Sequence, residues 1–236
     1  MRVDFKSAPT ARRIQKRGQQ KKAHYTTPGA TGRLMQLESR LEASAAIVMG
    51  LDPRVADIRS QPVCFDLATG RAYPSKEHLR LAAAENGNRP VEYTPDFKAS
   101  LPKGPVFIEV KHSALIEMNP KILGYPGVLA RYGHRLIIID DSCLPETFVR
   151  NMRLLNISKS AVPKGPDTAK LRKDTDTGAN ITDLIKKGHS QRNILAALAH
   201  GEVTCDVQDE RISQQTVIHS SKGLPRHLME LPLGLQ

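Results

Sequence analysis

Two acidic motifs lie close together in the middle of the chain. The first is Tyr-Thr-Pro-Asp-Phe at residues 93–97, and the second is Glu-Val-Lys at residues 109–111, eleven residues further on. Side chains alternate along a strand, so Glu109 and Lys111 share one face if that segment is extended. Asp96 joins them if the two segments pair as strands.

These residue types suit phosphodiester hydrolysis. The carboxylates of Asp96 and Glu109 are hard oxygen ligands of the kind that Mg²⁺ or Mn²⁺ binds. A bound cation lowers the pKa of a water molecule and neutralises charge on the phosphate. Lys111 can orient that water or add positive charge. The alternative is that the same residues form an ordinary solvated strand face.

A third carboxylate comes from an earlier segment. Apolar residues recur at helical spacing over residues 34–49 and predict an amphipathic helix that stops at Gly50, with an apolar stripe formed by Leu34, Leu37, Leu41, Ala45 and Val48. Glu38 and Glu42 share a neighbouring stripe of that helix. They form either a solvated acidic face or a source of one carboxylate for the metal site.

Strand and helix signals alternate over residues 33–156. Besides two central strands at 93–98 and 106–111, the patterns predict strands at 55–58, 62–66 and 135–140, and helices at 75–85, 115–132 (interrupted by prolines) and 145–155. Strands flanked by helices in this order predict an α/β domain over residues 33–156.

A linker and a second unit follow this domain. Residues 157–179 lose apolar periodicity and have the composition of a linker. Residues 180–236 predict two short helices capped by Asn180 and Ser190, then strands at 203–207 and 212–218. This layout is winged-helix-like; such a domain contacts DNA or a partner protein, or else is a structural appendage.

The chain is strongly basic, with 35 Lys and Arg against 24 Asp and Glu and a formal charge of +11. Such a charge attracts polyanions such as nucleic acid. Residues 1–32 form either a disordered arm on DNA phosphates or a merely solvated tail, and the candidate contacts are Arg12, Arg13, Lys16, Arg17, Lys21 and Lys22. Only 4% of residues are aromatic, so extensive base-stacking platforms are not expected.

Other residue patterns point away from several classes of protein. No apolar run reaches the roughly 20 residues of a membrane span, and the first residues lack the apolar segment of a signal peptide. The three cysteines are far apart, which favours neither a disulfide framework nor a zinc cluster. We therefore expect a cytoplasmic protein. Asp140 and Asp141 are expected in a turn or helix cap, and His112 in packing or at the surface.

Four motifs give the chain a resemblance to a known family. They are Leu-Glu-Ser-Arg-Leu-Glu at 37–42, Val-Ala-Asp-Ile-Arg-Ser-Gln-Pro at 55–62, the motif at 93–97, and Ile-Glu-Val-Lys at 108–111. In order and spacing, residues 34–140 resemble TnsA, the endonuclease subunit of heteromeric cut-and-paste transposases. The linker and the small C-terminal module are similar too.

The resemblance implies a restriction-endonuclease-like PD-(D/E)xK fold, in which helices flank a mixed sheet. It also implies a Mg²⁺-dependent site in which Mn²⁺ can substitute. The helical carboxylate of the family falls on Glu42 rather than Glu38, its strand aspartate on Asp96 and its lysine on Lys111. The position of Glu109 is Gln or Glu in the family.

The resemblance further implies a reaction and partners. TnsA enzymes hydrolyse the 5′ strand of double-stranded DNA at transposon ends, while a TnsB-like DDE transposase cuts and joins the 3′ ends. A TnsC-like AAA+ regulator contacts the C-terminal region. Two other functions stay open: a stand-alone restriction or repair nuclease of the same fold, and a DNA-binding assembly factor that has lost catalysis.

Overall fold

The computed structural model describes residues 24–29, 31–161 and 165–234. The predicted arm contacts at residues 12–22 lie outside this range. Its strands are β1 (His24–Thr26), β2 (Met35–Leu37), β3 (Asp57–Ser60), β4 (Cys64–Asp66), β5 (Ala72–Tyr73), β6 (Glu92–Tyr93), β7 (Phe97–Leu101), β8 (Gly104–Val110), β9 (Leu136–Ile139), β10 (Ala179–Asn180), β11 (Val203–Thr204) and β12 (Val217–Ser220).

Helices separate and follow these strands. They are α1 (Arg40–Leu51), α2 (Lys76–Glu85), α3 (Ser113–Met118), α4 (Tyr125–Ala130), α5 (Glu146–Ser158), α6 (Gly165–Asp174), α7 (Ile181–Lys186) and α8 (Gln191–Ala199). In the described part of the chain, no helix has the length and apolar character to cross a bilayer.

A mixed four-stranded sheet, in the order β3-β7-β8-β9, forms the centre of the first unit. Strands β7 and β8 form an antiparallel hairpin in which Phe97 pairs with Ile108, and β9 runs parallel to β8. This pairing meets the condition on which Asp96 was expected to join Glu109 and Lys111. It sets the start of β7 beside the end of β8.

Helices cover both faces of this sheet. Val106, Ile108 and Val110 of β8 belong to the large apolar core that also contains residues of α1 and α5. The alternate residue Phe107 packs on the opposite face, in a smaller cluster with Leu129 of α4. The prediction of an α/β fold, a mixed sheet flanked by helices, is confirmed.

Helix α1 begins later than the apolar spacing predicted. Residues 35–37 are strand β2, which pairs with β1, and Ser39 caps the helix by accepting a hydrogen bond from the Glu42 backbone N–H at 3.1 Å. Its residues from Glu42 to Leu51 are all buried, so the amphipathic prediction is also wrong. Glu38 consequently lies outside the helix, and the two glutamates do not share a helical stripe.

The segment predicted as one strand at 93–98 is two strands in different sheets. Strand β6 belongs to a three-stranded sheet in the order β5-β4-β6, whereas β7 belongs to the central sheet. Thr94, Pro95 and Asp96 connect them. Pro95 has no backbone N–H to donate to a ladder, so the chain changes sheet there.

The C-terminal unit contains the two predicted helices, since the Asn180 and Ser190 side chains cap α7 and α8. Its strands differ from the prediction: β12 begins at Val217, and β10 adds a third strand in the order β10-β12-β11. The predicted linker at 157–179 contains helix α6, whose Leu171 is buried in the shared core. Tertiary packing supports this helix where the sequence shows little apolar periodicity.

Two polar side chains join the C-terminal unit to the first. Buried Asn151 of α5 donates to the backbone carbonyls of Val207 at 3.0 Å and Glu210 at 2.8 Å, and accepts from the Ile212 N–H at 3.0 Å. Arg54 donates to the carbonyls of residues 229 and 231, both at 3.0 Å. Side chains of the first unit thus satisfy backbone hydrogen-bonding groups of the C-terminal unit.

Replacing Asn151 should destabilise the whole chain. Asn151→Ala leaves three backbone groups without their side-chain partner, at an expected cost of about 2 to 4 kcal/mol in the free energy of unfolding. Urea denaturation followed by circular dichroism measures this change. Asn86→Ala, at the exposed end of α2, is the matched control and should cost less than about 1 kcal/mol. Equal effects of the two substitutions would contradict a clamping role for Asn151.

Candidate active site

Asp96, Glu109 and Lys111 lie together at one end of the β7–β8 hairpin. Asp96 immediately precedes β7, and its Oδ2 accepts a hydrogen bond of 2.8 Å from the Val110 backbone N–H. The Nζ of Lys111 lies 3.9 Å from Glu109 Oε1. Glu109 is buried, whereas the Lys111 side chain keeps 40% of its exposure. Residues of the two predicted motifs thus lie next to one another, and the lysine side chain is open to solvent.

Glu42 is the third residue of α1 and is also buried, with 7% of its surface exposed. Its Oε2 accepts a hydrogen bond of 2.9 Å from the Glu38 backbone N–H. Together with the Ser39 cap, this contact resembles a capping box. Glu42 therefore helps to order the start of α1, whatever else its carboxylate binds.

The three carboxylates act on one another electrostatically. Burial, then the charges of Glu109 and Glu42, hold the pKa of Asp96 well above its usual range. The Val110 N–H and the charge of Lys111 act in the opposite direction. Asp96 retains intermediate solvent exposure, yet protein atoms surround its carboxyl group closely. Like charges collected in such a place call for a compensating proton or cation.

The donor chemistry of this cluster fits a hard divalent cation. One oxygen of each carboxylate is held by a protein donor: the Glu38 N–H on Glu42, the Val110 N–H on Asp96, and the Tyr93 hydroxyl on Glu109. Across the described residues, no three Asp, Glu, His or Cys side chains stand in a ready-made metal-binding group. Hydrogen bonds thus orient the three carboxylates, but they do not form a complete set of metal ligands.

Gln61 and Tyr93 belong to the site although the sequence patterns assigned them no role. The Gln61 backbone N–H donates to the Asp96 carbonyl at 2.7 Å, and its side-chain Nε2 donates to Glu38 Oε1 at 3.0 Å. Gln61 thereby ties the start of β7 to the start of α1. Gln61 lies in the motif at 55–62, and Tyr93 lies in the motif at 93–97. The sequence could have indicated them only as polar side chains next to predicted buried strands.

Asp140 serves the turn after β9, and Asp141 binds the first backbone N–H of α3, in agreement with the predicted turn and cap roles. Asp140 Oδ1 accepts from the Ser142 N–H at 2.9 Å. Asp141 Oδ1 accepts from the Ser113 N–H at 2.6 Å, the main cause of a lowered Asp141 pKa. His112 is exposed, with Nε2 3.3 Å from Asp141 Oδ2.

Searches among protein-family models and characterised proteins found no match for this chain. The chemistry open to the site therefore follows from its own residues. Three carboxylates, one exposed ammonium group and a basic chain are suited to hold a cation next to a polyanion.

The charge repulsion at Asp96 should be measurable as a stability defect. Asp96→Asn can keep the hydrogen bond from Val110 while removing a buried charge, so the free energy of unfolding should rise by about 1 kcal/mol or more at pH 8. Because the folded-state pKa is raised, the gain should grow as pH rises above about 4, the value for an unfolded Asp. Urea titrations of metal-free protein at several pH values measure it.

Asp57→Asn is the control for this experiment, since Asp57 on β3 forms an ion pair of 3.2 Å with the exposed Arg59. Its stability change should stay near zero. If Asp96→Asn instead lowers the free energy of unfolding by the same amount at every pH, charge repulsion does not destabilise Asp96 in the folded chain.

Proposed function

We propose that the chain is a metal-dependent DNA endonuclease of the restriction-endonuclease-like, PD-(D/E)xK class. The observation that carries the proposal is the placement of Asp96 against the end of β8, where it accepts the Val110 N–H at 2.8 Å, with Lys111 Nζ 3.9 Å from Glu109 Oε1 on the same strand end. Burial and the charges of Glu109 and Glu42, which raise the pKa of Asp96, support it. The central mixed sheet flanked by helices supports the choice of fold class. A formal charge of +11 supports DNA as the polyanion.

Each residue of the cluster has a role in this reaction. Glu42, Asp96 and Glu109 would hold Mg²⁺, with Mn²⁺ as a substitute. When bound, the metal supplies a lowered pKa for water and positive charge against the phosphate. Lys111 adds its own charge beside the same phosphate and orients the attacking water. Val110 keeps Asp96 in place through its backbone N–H.

The particular protein we propose is a TnsA-like subunit that hydrolyses the 5′ strand at transposon ends. Its support is the order and spacing of the four motifs, together with the effect of the Glu109 and Glu42 charges on the pKa of Asp96. The proposed partners are a TnsB-like DDE transposase and a TnsC-like AAA+ regulator. A protein brought to its cut site by such partners needs phosphate contacts more than base contacts.

The C-terminal unit fits a partner-binding role in this proposal. Helices α7 and α8 followed by a small sheet that includes β11 and β12 support a winged-helix-like assignment. Arg54 and Asn151 hold it against the catalytic unit. A partner bound to the C-terminal unit would therefore be positioned relative to the site.

Strand-specific cleavage tests the proposal. The chain is mixed with a TnsB-like DDE transposase, a TnsC-like AAA+ regulator, Mg²⁺ and a duplex carrying a transposon end with a labelled 5′ strand. Wild type should cut that strand, and Lys111→Met should lower the rate by about 100-fold or more. Lys103→Met, in the exposed β7–β8 turn, should retain the wild-type rate.

Other outcomes separate the competing functions. Rapid Mg²⁺-dependent cleavage of arbitrary duplex by the isolated chain would favour a stand-alone nuclease. Absence of 5′ cleavage in a mixture that still joins 3′ ends only when the chain is present would favour an assembly factor. Equal rates for Lys111→Met and wild type would remove Lys111 from the site.

A further inference from the structure

Tyr93 connects a purely apolar cluster to the carboxylate cluster. It ends β6, retains 7% exposure, and packs with Phe65 and Phe107 in the smaller core. Its ring centroid is 4.8 Å from that of Tyr125. The hydroxyl leaves this cluster and donates to Glu109 Oε2 at 2.9 Å. A buried phenol needs a hydrogen-bond partner, and here the partner is a carboxylate of the proposed metal site.

The position of Tyr93 beside Glu109 is fixed by the strand that carries it. Phe65 pairs with Tyr93 between β4 and β6, which anchors the ring in the second sheet. Only Thr94 and Pro95 separate Tyr93 from Asp96. One short segment thus supplies both the carboxylate of Asp96 and the donor to Glu109, and the two contacts are set by the same change of sheet.

We propose that Tyr93 is a positioning residue for the metal-binding carboxylate of Glu109. With Oε2 held by the phenol, Oε1 is the oxygen 3.9 Å from Lys111 Nζ, so the carboxylate has a defined orientation between the phenol and the ammonium group. Groups that hydrogen-bond a metal-binding carboxylate fix its orientation, and their removal usually lowers metal affinity. The inference rests on the proposed metal-dependent function.

Tyr93→Phe removes one oxygen atom and keeps the ring contacts. We expect the dissociation constant for Mn²⁺, measured on the metal-free full chain from the electron paramagnetic resonance signal of free Mn²⁺, to rise by about 10- to 100-fold. Tyr132→Phe is the matched control, because the Tyr132 hydroxyl donates to the Ala68 carbonyl at 2.8 Å. It should bind Mn²⁺ as wild type does. Neither measurement requires DNA, a partner protein or cleavage.

Glu109→Gln distinguishes failure of this inference from failure of the proposed site. If Glu109→Gln loses Mn²⁺ affinity but Tyr93→Phe does not, Tyr93 has no positioning role and the metal site stands. If Glu109→Gln binds Mn²⁺ like wild type, the proposed site is wrong and the role of Tyr93 falls with it. Circular dichroism melting of each variant shows that it is folded.

A second measurement does not depend on the Tyr93→Phe variant folding. The chain contains five tyrosines and no Trp, so Tb³⁺ emission excited through aromatic absorption reports a phenol close to the ion. Wild type and Tyr132→Phe should both give sensitised emission, and Glu109→Gln should abolish it. Absence of sensitised emission from wild type with Tb³⁺ bound would place the ion away from Tyr93 and overturn the inference.

Discussion

Repulsion between buried carboxylates is the constraint on which the site depends. Burial raises the pKa of Asp96 most, and the charges of Glu109 and Glu42 raise it further. A chain without tertiary contacts would move these groups apart into water, where their charges are solvated. The sheet and helix α1 must therefore hold them together against this repulsion. The same constraint makes a cation a favourable occupant, because it removes the repulsion while satisfying the oxygens.

The fold opposes that repulsion mostly with backbone groups. The Val110 and Glu38 N–H groups hold one oxygen each on Asp96 and Glu42. Gln61, with a φ of 42°, turns the chain at the end of β3 so that its backbone reaches Asp96 and its side chain reaches Glu38. A left-handed conformation in a residue other than glycine costs about 1 to 3 kcal/mol and persists only where surrounding contacts enforce it. The strained backbone of Gln61 therefore lies where β3, β7 and α1 meet, next to the carboxylate cluster.

The C-terminal unit adds rigidity at some distance from the cluster. Its apolar residues share the large core with α1 and α5, and Asn151 supplies fixed partners to the backbone between β11 and β12. Helix α1 therefore packs within a core to which both units contribute. Helix α8 of the C-terminal unit packs on α5, and α5 packs on α1, the helix that carries Glu42.

Local signals in the sequence determined the caps, the hairpin and the residue types of the site. Ser75, Asn180 and Ser190 cap the predicted helices because their side-chain oxygens accept hydrogen bonds from nearby backbone groups. Strand alternation set Glu109 and Lys111 on one face, and Asp96 was expected beside them on the condition that the two segments pair as strands. These features depend on neighbours within a few residues or on one turn.

Tertiary structure alone decided where the chain changes direction and which polar groups meet. Apolar spacing extended α1 back to residue 34, but pairing of β2 with β1 claims residues 35–37. Extended propensity joined residues 93–98, but the segment divides between two sheets around Pro95. The contacts of Tyr93 with Glu109 and of Gln61 with Glu38 join residues 16 and 23 positions apart. Packing of separate elements sets such contacts, and the periodicity of any single element contains no information about them.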